Sequence, residues 1–275
     1  MARRRYTIDE KRIARFEKEG RGQGEGNAYK PWLTIQDVPS HGRSHRLLGM
    51  TTGRIHHFLS DLERDLFYLL DWQETVIDIR EQFPLEREET SRIADMLNIR
   101  HPRAPGQEEA LVMTTDFVVE QRCNGRIETF AYAVKSSADL EKLRSLRKLE
   151  IEWRYWQERG VDWNIVSRAE LPGRLIGNIA WVHGFFRPEG LDTRLREQIP
   201  AFLAEIIASP LSSLRQFCSD MDKRLGWSPG DSLTLFHHLL SIRAVQCDMA
   251  TVELGDSLPL SACSLLGETQ GWSWK

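Results

Sequence analysis

Apolar and polar positions in the first 170 residues form patterns that predict helices and strands in turn. Residues 55–72 (IHHFLSDLERDLFYLLDW) place most of their apolar side chains on one helical face and predict the strongest helix of this half. Residues 75–85 are rich in β-branched side chains and stop near Pro84, which predicts a strand.

Two more strands and a helix are predicted after this point. Residues 113–121 and 128–135 are β-rich and flank Asn124-Gly125, a dipeptide typical of tight hairpin turns. A dense run of Leu, Lys, Arg and Glu over residues 138–159 predicts a long helix, and residues 163–167 predict a closing, buried strand. This order of elements predicts an α/β domain with a mixed sheet and helices on its faces.

The pattern becomes mostly helical beyond residues 168–175, which predicts a domain boundary there. The apolar periodicity predicts three helices, over residues 192–208, 210–224 and 231–242. Two short strands are predicted within residues 244–254, and the rest of the tail is read as irregular. We therefore predict a mixed-sheet domain over residues 1–170 and a helical, winged-helix-like domain over residues 171–275.

Three polar side chains of these predicted elements are candidates for a shared site. Glu63 lies in the first helix, Asp116 opens one strand of the hairpin, and Lys135 closes the other. Taken singly, each would be read as a solvated surface charge. Together, the carboxylates of Glu63 and Asp116 with the carbonyl oxygen of Val134 can hold Mg²⁺, with Mn²⁺ as a substitute. Lys135 can orient a water or offset charge, so the set is typical of a metal-dependent phosphodiester hydrolase.

Charge is distributed unevenly along the chain, although the net charge is only −3. Residues 1–56 hold 12 Lys and Arg against 6 Asp and Glu, so this segment is basic and the remainder is acidic. Such a segment is either a solvated tail or a surface that contacts nucleic-acid phosphates. We expect DNA contacts from five of its residues, Arg21, Lys30, Arg43, Arg46 and Arg54.

Other patterns narrow the class of protein. The four cysteines form no CxxC pair, which argues against a zinc site or a disulfide framework and favours a reducing compartment. The basic start has no apolar run after it, and no stretch is apolar enough to span a membrane, so a cytoplasmic location is expected. No phosphate-binding GxxxxGK[ST] loop or nucleophile elbow is present, so an ATPase or serine hydrolase is not indicated.

Several strings within residues 10–165 resemble the TnsA family, the endonuclease subunit of heteromeric cut-and-paste bacterial transposases. They are GRGQG, PWLTIQDVPSHGRSHR, TGRIHHFLSDLE, DIREQFPL, TTDF, VK and LEIEWRYW. The resemblance implies a restriction-endonuclease-like fold of the PD-(D/E)xK type in the first domain. It implies cleavage of the 5′ strands at transposon ends, with Glu63, Asp116 and Lys135 as the catalytic set and Glu152 as a further acidic residue.

The resemblance also implies partner proteins, and this chain departs from the family pattern at one position. A DDE-type recombinase (TnsB-like) would cut and join the 3′ strands at double-stranded transposon ends. The C-terminal domain would engage an AAA+ regulator (TnsC-like) and DNA. The family often carries Gln or Glu two residues before the lysine, where this chain has Ala133. An extra water, Glu81 or Glu152 would then have to fill the place of that ligand, or the enzyme would be weaker.

Two other functions stay open at the level of sequence. A chain whose site has decayed at Ala133 would be a DNA-binding adaptor of the same assembly, and it would bind no Mg²⁺ or Mn²⁺. A standalone restriction or repair nuclease would cut DNA without partners.

Overall fold

The computed structural model describes residues 9–37, 43–103 and 109–266. The chain divides into two compact units, with the division between Leu171 and Pro172. The predicted boundary, after residue 170, lies one residue before it.

A four-stranded sheet forms the centre of the first unit. Its strands are β3 (Val76–Pro84), β4 (Thr114–Cys123), β5 (Arg126–Val134) and β6 (Asp162–Val166), in that spatial order. The first two pairings are antiparallel and the β5–β6 pairing is parallel. The sheet is therefore mixed, as the order of predicted elements indicates.

The β4–β5 hairpin forms where the Asn124-Gly125 dipeptide predicts it. Both turn residues have positive φ, 49° for Asn124 and 80° for Gly125. Asn and Gly adopt this conformation at low cost, and turns of this kind match the twist of the flanking strands. The pair Cys123–Arg126 closes the hairpin and fixes the register down to Phe117–Tyr132. This register brings the start of β4 beside the end of β5.

Helices cover the sheet and bury its apolar side chains. Helix α3 (Arg87–Met96) and helix α5 (Leu143–Gln157) pack with the sheet around a core that includes Val118, Ala131 and Ile151. The long helix predicted over residues 138–159 is interrupted. A short α4 (Ser137–Leu140), capped by Ser136, ends before α5 begins.

The prediction of a helix over residues 55–72 is wrong for its first part. Strand β2 (Ile55–Phe58) pairs with β1 (His45–Leu48), and helix α2 (Asp61–Asp71) begins only after them. Ser60 is the N-cap of α2, since its hydroxyl accepts from Glu63 N at 3.2 Å. Glu63 therefore lies in the first turn of a helix and not in its middle.

Strand β6 is an edge strand rather than a buried one. Of its five residues only Val166 is buried, and Ile165 is 37% exposed. The apolar run in residues 163–167 predicted burial, but β6 pairs with β5 alone in the sheet described.

The basic N-terminal segment folds against β3. Helix α1 (Glu10–Lys18) buries Phe16 against Trp32, with ring centroids 5.3 Å apart. Trp32 N donates to Gln82 O at 3.2 Å, and Tyr29 Oη donates to Glu81 O at 3.1 Å. The part of this segment between residues 9 and 37 is thus structured and not a solvated tail.

Asp37 holds this segment together through several hydrogen bonds. It accepts from Arg12 Nη2 at 2.9 Å, from Arg21 Nη1 at 2.6 Å and from Thr34 N at 2.9 Å. Burial alone would raise the pKa of Asp37, but the hydrogen bonds from Thr34, Arg21 and Arg12 outweigh it and lower the pKa to about 2. A depressed folded-state pKa stabilises the protein above the ordinary carboxyl pKa, and this contribution is lost as pH falls through the folded value.

We expect Asp37→Asn to lower the free energy of unfolding at pH 7 by about 2 kcal/mol, because charge-assisted hydrogen bonds are lost. The difference from the native chain should shrink between about pH 4 and pH 2, where the native carboxylate is itself protonated. Urea unfolding across this pH range measures it. Glu150→Gln, at an exposed position on α5, is the control and should show no such trend. A difference that is constant with pH would contradict the assignment.

The second unit is mostly helical, as predicted. Its helices are α6 (Gly173–His183), α7 (Thr193–Glu197), α8 (Ile199–Ala208), α9 (Leu214–Leu225) and α10 (Asp231–Ser241). Helix α6 was not predicted. The core of this unit includes Phe202 and Phe217, whose ring centroids lie 5.2 Å apart, and the fully buried Leu235.

A two-stranded antiparallel ribbon follows these helices. It pairs β7 (Val245–Cys247) with β8 (Cys263–Leu265). Only the first strand lies in the predicted range 244–254, and the second comes from the tail predicted as irregular. The ribbon places Cys247 Sγ and Cys263 Sγ 3.0 Å apart, so cysteines distant in sequence are neighbours here. Within residues 9–37, 43–103 and 109–266, no helix is both long and apolar enough to cross a membrane.

Candidate active site

Asp116, Val134 and Lys135 meet where β4 begins and β5 ends. Lys135 Nζ donates to Asp116 Oδ2 at 2.6 Å and to the Val134 carbonyl oxygen at 2.9 Å. Val134 N donates to the same Asp116 oxygen at 2.7 Å. The hairpin register causes this meeting, because it sets Phe117 opposite Tyr132 and leaves the next residues of each strand side by side. Three of the predicted site residues are therefore in contact.

Glu63 is held close to this group by the start of α2. Its Oε1 accepts from Ser60 Oγ at 2.8 Å, and its Oε2 accepts from Leu59 N at 2.9 Å. Only 7% of the residue is exposed. These bonds fix the carboxylate at the helix N-terminus, where the helix dipole also favours negative charge.

The pKa values of these groups reflect their proximity. Burial raises the pKa of the Glu63 carboxyl above its ordinary value, and the charge of Asp116 raises it further. Burial alone would lower the pKa of Lys135, but the charges of Asp116 and Glu152 outweigh it and raise the pKa. Glu63, Asp116, Glu152 and Lys135 thus form one electrostatically connected group.

Glu152 reaches the group from α5. Its Oε1 accepts from Thr115 Oγ1 at 2.8 Å and from Trp163 Nε1 at 3.0 Å. Burial raises the pKa of Glu152 to about 7, although the nearby Lys135 charge lowers it. Glu152 is therefore a buried side chain of the site and not an exposed helix charge. Neither Thr115 nor Trp163 was predicted as a site residue, since only the folded chain brings them to Glu152.

Ala133 is fully buried in β5 and supplies no polar group to the site. Of the groups that could fill this place, Glu81 is already engaged elsewhere. Glu81 is itself 0% exposed, and its carboxylate accepts from Arg54 Nη1 at 2.9 Å and from His57 N at 3.1 Å, and pairs with His56 Nδ1 at 2.8 Å. The charges of His56 and Arg54 outweigh the effect of burial and lower the pKa of Glu81. Both carboxylate oxygens of Glu81 therefore form hydrogen bonds within this buried network.

The donor set at the site fits a hard divalent cation. Glu63, Asp116 and Val134 offer only oxygen atoms, which Mg²⁺ prefers. Asp116 Oδ2 and the Val134 carbonyl oxygen already accept from one cationic group, the Lys135 ammonium. Across the described ranges, no three His, Cys, Asp or Glu side chains converge as a metal cluster. A metal here would be held by two carboxylates, a backbone carbonyl and waters.

The five residues predicted to contact DNA differ in exposure and in the contacts they already make. Lys30, Arg43 and Arg46 are exposed, and Arg43 Nη2 lies 3.4 Å from Asp61 Oδ2 at the start of α2. Arg21 is less available, because it pairs with Asp37 and lies over the Phe16 ring at 3.8 Å. Lys30, Arg43 and Arg46 therefore remain the best placed for phosphate contact.

Arg54 does not have the position expected of a DNA contact. Its side chain is 8% exposed and forms a buried ion pair with Glu81. Arg54 Nη2 also donates to Ile79 O at 2.8 Å, and Arg54 Nε donates to Gly26 O at 3.2 Å. Arg54 directly precedes β2, and its side chain turns inward to hydrogen-bond to β3.

Two protein-family models match this chain, and the first includes most of the site residues. Residues 73–168 match a family model described as TnsA-like endonuclease N terminal, and residues 170–249 match one described as TnsA endonuclease C terminal. Asp116, Lys135 and Glu152 lie in the first matched segment, and Glu63 precedes it.

A curated relative is similar to a large part of the chain. It is the Transposon Tn7 transposition protein TnsA of Escherichia coli, 48% identical over 183 residues. The match covers 66% of this chain and 66% of that protein. The mixed sheet of the first unit agrees with the restriction-endonuclease-like fold expected from the resemblance, and the second unit is mostly helical, as predicted. The chain belongs to the TnsA family.

Proposed function

We propose that this chain is the endonuclease subunit of a cut-and-paste transposase and cleaves the 5′ strands at transposon ends in a Mg²⁺-dependent reaction. The observation that carries the proposal is the contact of Lys135 Nζ with Asp116 and the Val134 carbonyl oxygen, beside the buried carboxylate of Glu63. The family matches over both units support the transposition context.

Each residue of the site would have a separate role in the reaction. Glu63, Asp116 and the Val134 carbonyl would hold Mg²⁺, or Mn²⁺ in its place. When bound there, the cation would supply Lewis acidity toward the scissile phosphate and the attacking water. Lys135 would orient that water or offset the charge that develops on the phosphate. Glu152 lies close enough to Lys135 to raise its pKa and would favour the charged ammonium.

The family and the surface charge support the proposed substrate and partners. Double-stranded DNA would approach the exposed Lys30, Arg43 and Arg46, whose contacts with phosphate are independent of sequence. A DDE-type recombinase would select the ends and cut the 3′ strands, and an AAA+ regulator would license the reaction. Dependence on partners supplies positioning and prevents untimely cuts.

Strand-specific cleavage tests this function with the native chain. A duplex carrying a transposon end is labelled on each 5′ end separately and incubated with the chain, the recombinase and the regulator. We expect cuts in the 5′ strand with Mg²⁺ or Mn²⁺ and none after chelation with EDTA, because the donor set needs a divalent cation. Omitting only the chain should leave the 3′ cuts in place.

Three outcomes would contradict the proposal in different ways. Cuts in the 5′ strand that persist in EDTA would exclude a metal-dependent site. Absence of 5′ cuts, with no binding of Mn²⁺, would favour a DNA-binding adaptor. Equal cleavage of unrelated naked DNA without partners would favour a standalone nuclease.

A further inference from the structure

Gln82 has an unusual backbone conformation for a residue inside a strand. Its φ is +49°, in the left-handed region that residues with a Cβ rarely adopt. Among the described residues, positive φ at non-glycine positions also occurs at Asn98, Asn124 and Arg243. Asn98 follows helix α3 and Asn124 is in the hairpin turn, where asparagine commonly adopts it. Gln82 alone of these four lies within a strand.

The distortion coincides with Asp116 on the neighbouring strand. In the β3–β4 register, Glu81 is opposite Phe117 and Phe83 is opposite Thr115. Gln82 therefore lies opposite Asp116, at a position where β3 and β4 do not form a regular pair. Its carbonyl oxygen accepts instead from Trp32 N at 3.2 Å. The regular ladder is interrupted at the carboxylate of the candidate site.

The side chain of Gln82 connects this point to Glu63. Gln82 is 2% exposed, and its Nε2 donates to Glu63 Oε2 at 3.4 Å. Its Oε1 accepts from Thr114 Oγ1, also at 3.4 Å. The other donors to Glu63 come from Leu59 and Ser60, in the turn that precedes α2. Gln82 thus ties the Glu63 carboxylate to the sheet that carries Asp116.

Strained residues are retained where the surrounding structure gains from them, and they concentrate at functional sites. The strand alternation alone would point Glu81 and Gln82 to opposite faces, and Glu81 is committed to Arg54. We propose that Gln82 is a positioning residue that sets the distance and orientation of the Glu63 carboxylate relative to Asp116. This inference rests on the proposed function, since the two carboxylates are the ligands it would align.

Binding of Mn²⁺ alone to the full chain, measured by calorimetry, tests the proposal together with the thermal unfolding midpoint. Gln82→Gly removes the amide but accepts positive φ without strain. We expect its unfolding midpoint to stay near the native value and its Mn²⁺ affinity to fall about 10- to 100-fold, as for other residues that orient metal ligands. A residue with a purely structural role would not lower metal affinity in a chain of unchanged stability.

Two further variants complete the experiment. Asn98→Gly relieves the same backbone conformation at the end of α3 and should leave Mn²⁺ affinity unchanged. Gln82→Asn keeps an amide and tolerates positive φ, but it is one methylene shorter and should also weaken Mn²⁺ binding. If Gln82→Gly does not fold, the Mn²⁺ affinity of Gln82→Asn tests the positioning role instead.

The outcomes separate this inference from the function on which it rests. Native Mn²⁺ affinity in the folded Gln82→Gly or Gln82→Asn chain would overturn the positioning role and leave the endonuclease proposal standing. A native chain that binds no Mn²⁺ and makes no 5′ cut would overturn both. Weaker binding in the Gln82 variants, with native binding in Asn98→Gly, supports the positioning role.

Discussion

Replacing Asp116 with asparagine is expected to reduce 5′-strand cleavage by about 10³-fold or more. The substitution keeps the size of the side chain but removes the charge that the Lys135 ammonium and a divalent cation would share. A site that depends on one cation for much of its transition-state stabilisation loses that stabilisation with the ligand. The rate of 5′-strand cleavage is measured on labelled transposon-end DNA with the partner proteins present.

Cleavage of the 3′ strand provides an internal reference in the same assay. The 3′ cuts made by the recombinase should persist with Asp116→Asn, because that reaction uses another active site. Asp95→Asn, on the exposed surface of α3, is the matched substitution and should cleave both strands at the native rate. If Asp116→Asn gives the same 5′ products as the native chain, the carboxylate at the start of β4 is not catalytic.

Lys135→Met is expected to separate metal binding from cleavage. The ammonium donates to Asp116 Oδ2 and to the Val134 carbonyl oxygen, which are two of the three proposed metal ligands. Its removal frees both acceptors, so Mn²⁺ affinity should be retained or increased. Cleavage should fall by about 10²- to 10⁴-fold, because no group then orients the water or offsets the developing charge. Calorimetry with Mn²⁺ and the strand-specific assay measure the two effects.

Lys142→Met provides the control for loss of a lysine charge, since Lys142 is exposed and pairs with Asp139 three residues away. It should change neither quantity. Native cleavage by Lys135→Met would exclude the lysine from the chemistry. Loss of Mn²⁺ binding together with cleavage would mean that Lys135 supports the fold of the site and does not compete with the cation.

The parts of the site that were predicted depend on local sequence. The Asn124-Gly125 turn sets the hairpin register within a few residues, so the approach of Asp116 to Lys135 followed from the pattern of two short strands. Glu63 was assigned to a helix correctly but with the wrong helix start. Apolar spacing in residues 55–58 fits a helix as well as a strand, and Ser60 alone marks the change.

The parts that were not predicted depend on contacts distant in sequence. Arg54 and Glu81 are 27 positions apart, and nothing local shows that one neutralises the other inside the protein. A basic segment therefore suggested DNA contact for an arginine that is buried. The positive φ of Gln82 also could not be predicted, although three successive polar residues, Arg80, Glu81 and Gln82, break the alternation of a strand and mark the place.

The N-terminal segment has a consequence for self-association. Strand β3 lies at one edge of the sheet, and an open edge can pair with the edge of another molecule and lead to aggregation. The segment from Gly26 to Trp32 covers β3, through Tyr29 Oη on Glu81 O and Trp32 N on Gln82 O. The same basic segment that supplies Lys30 to the surface thus shields β3, so protection from self-association and the proposed DNA contact depend on one stretch of chain.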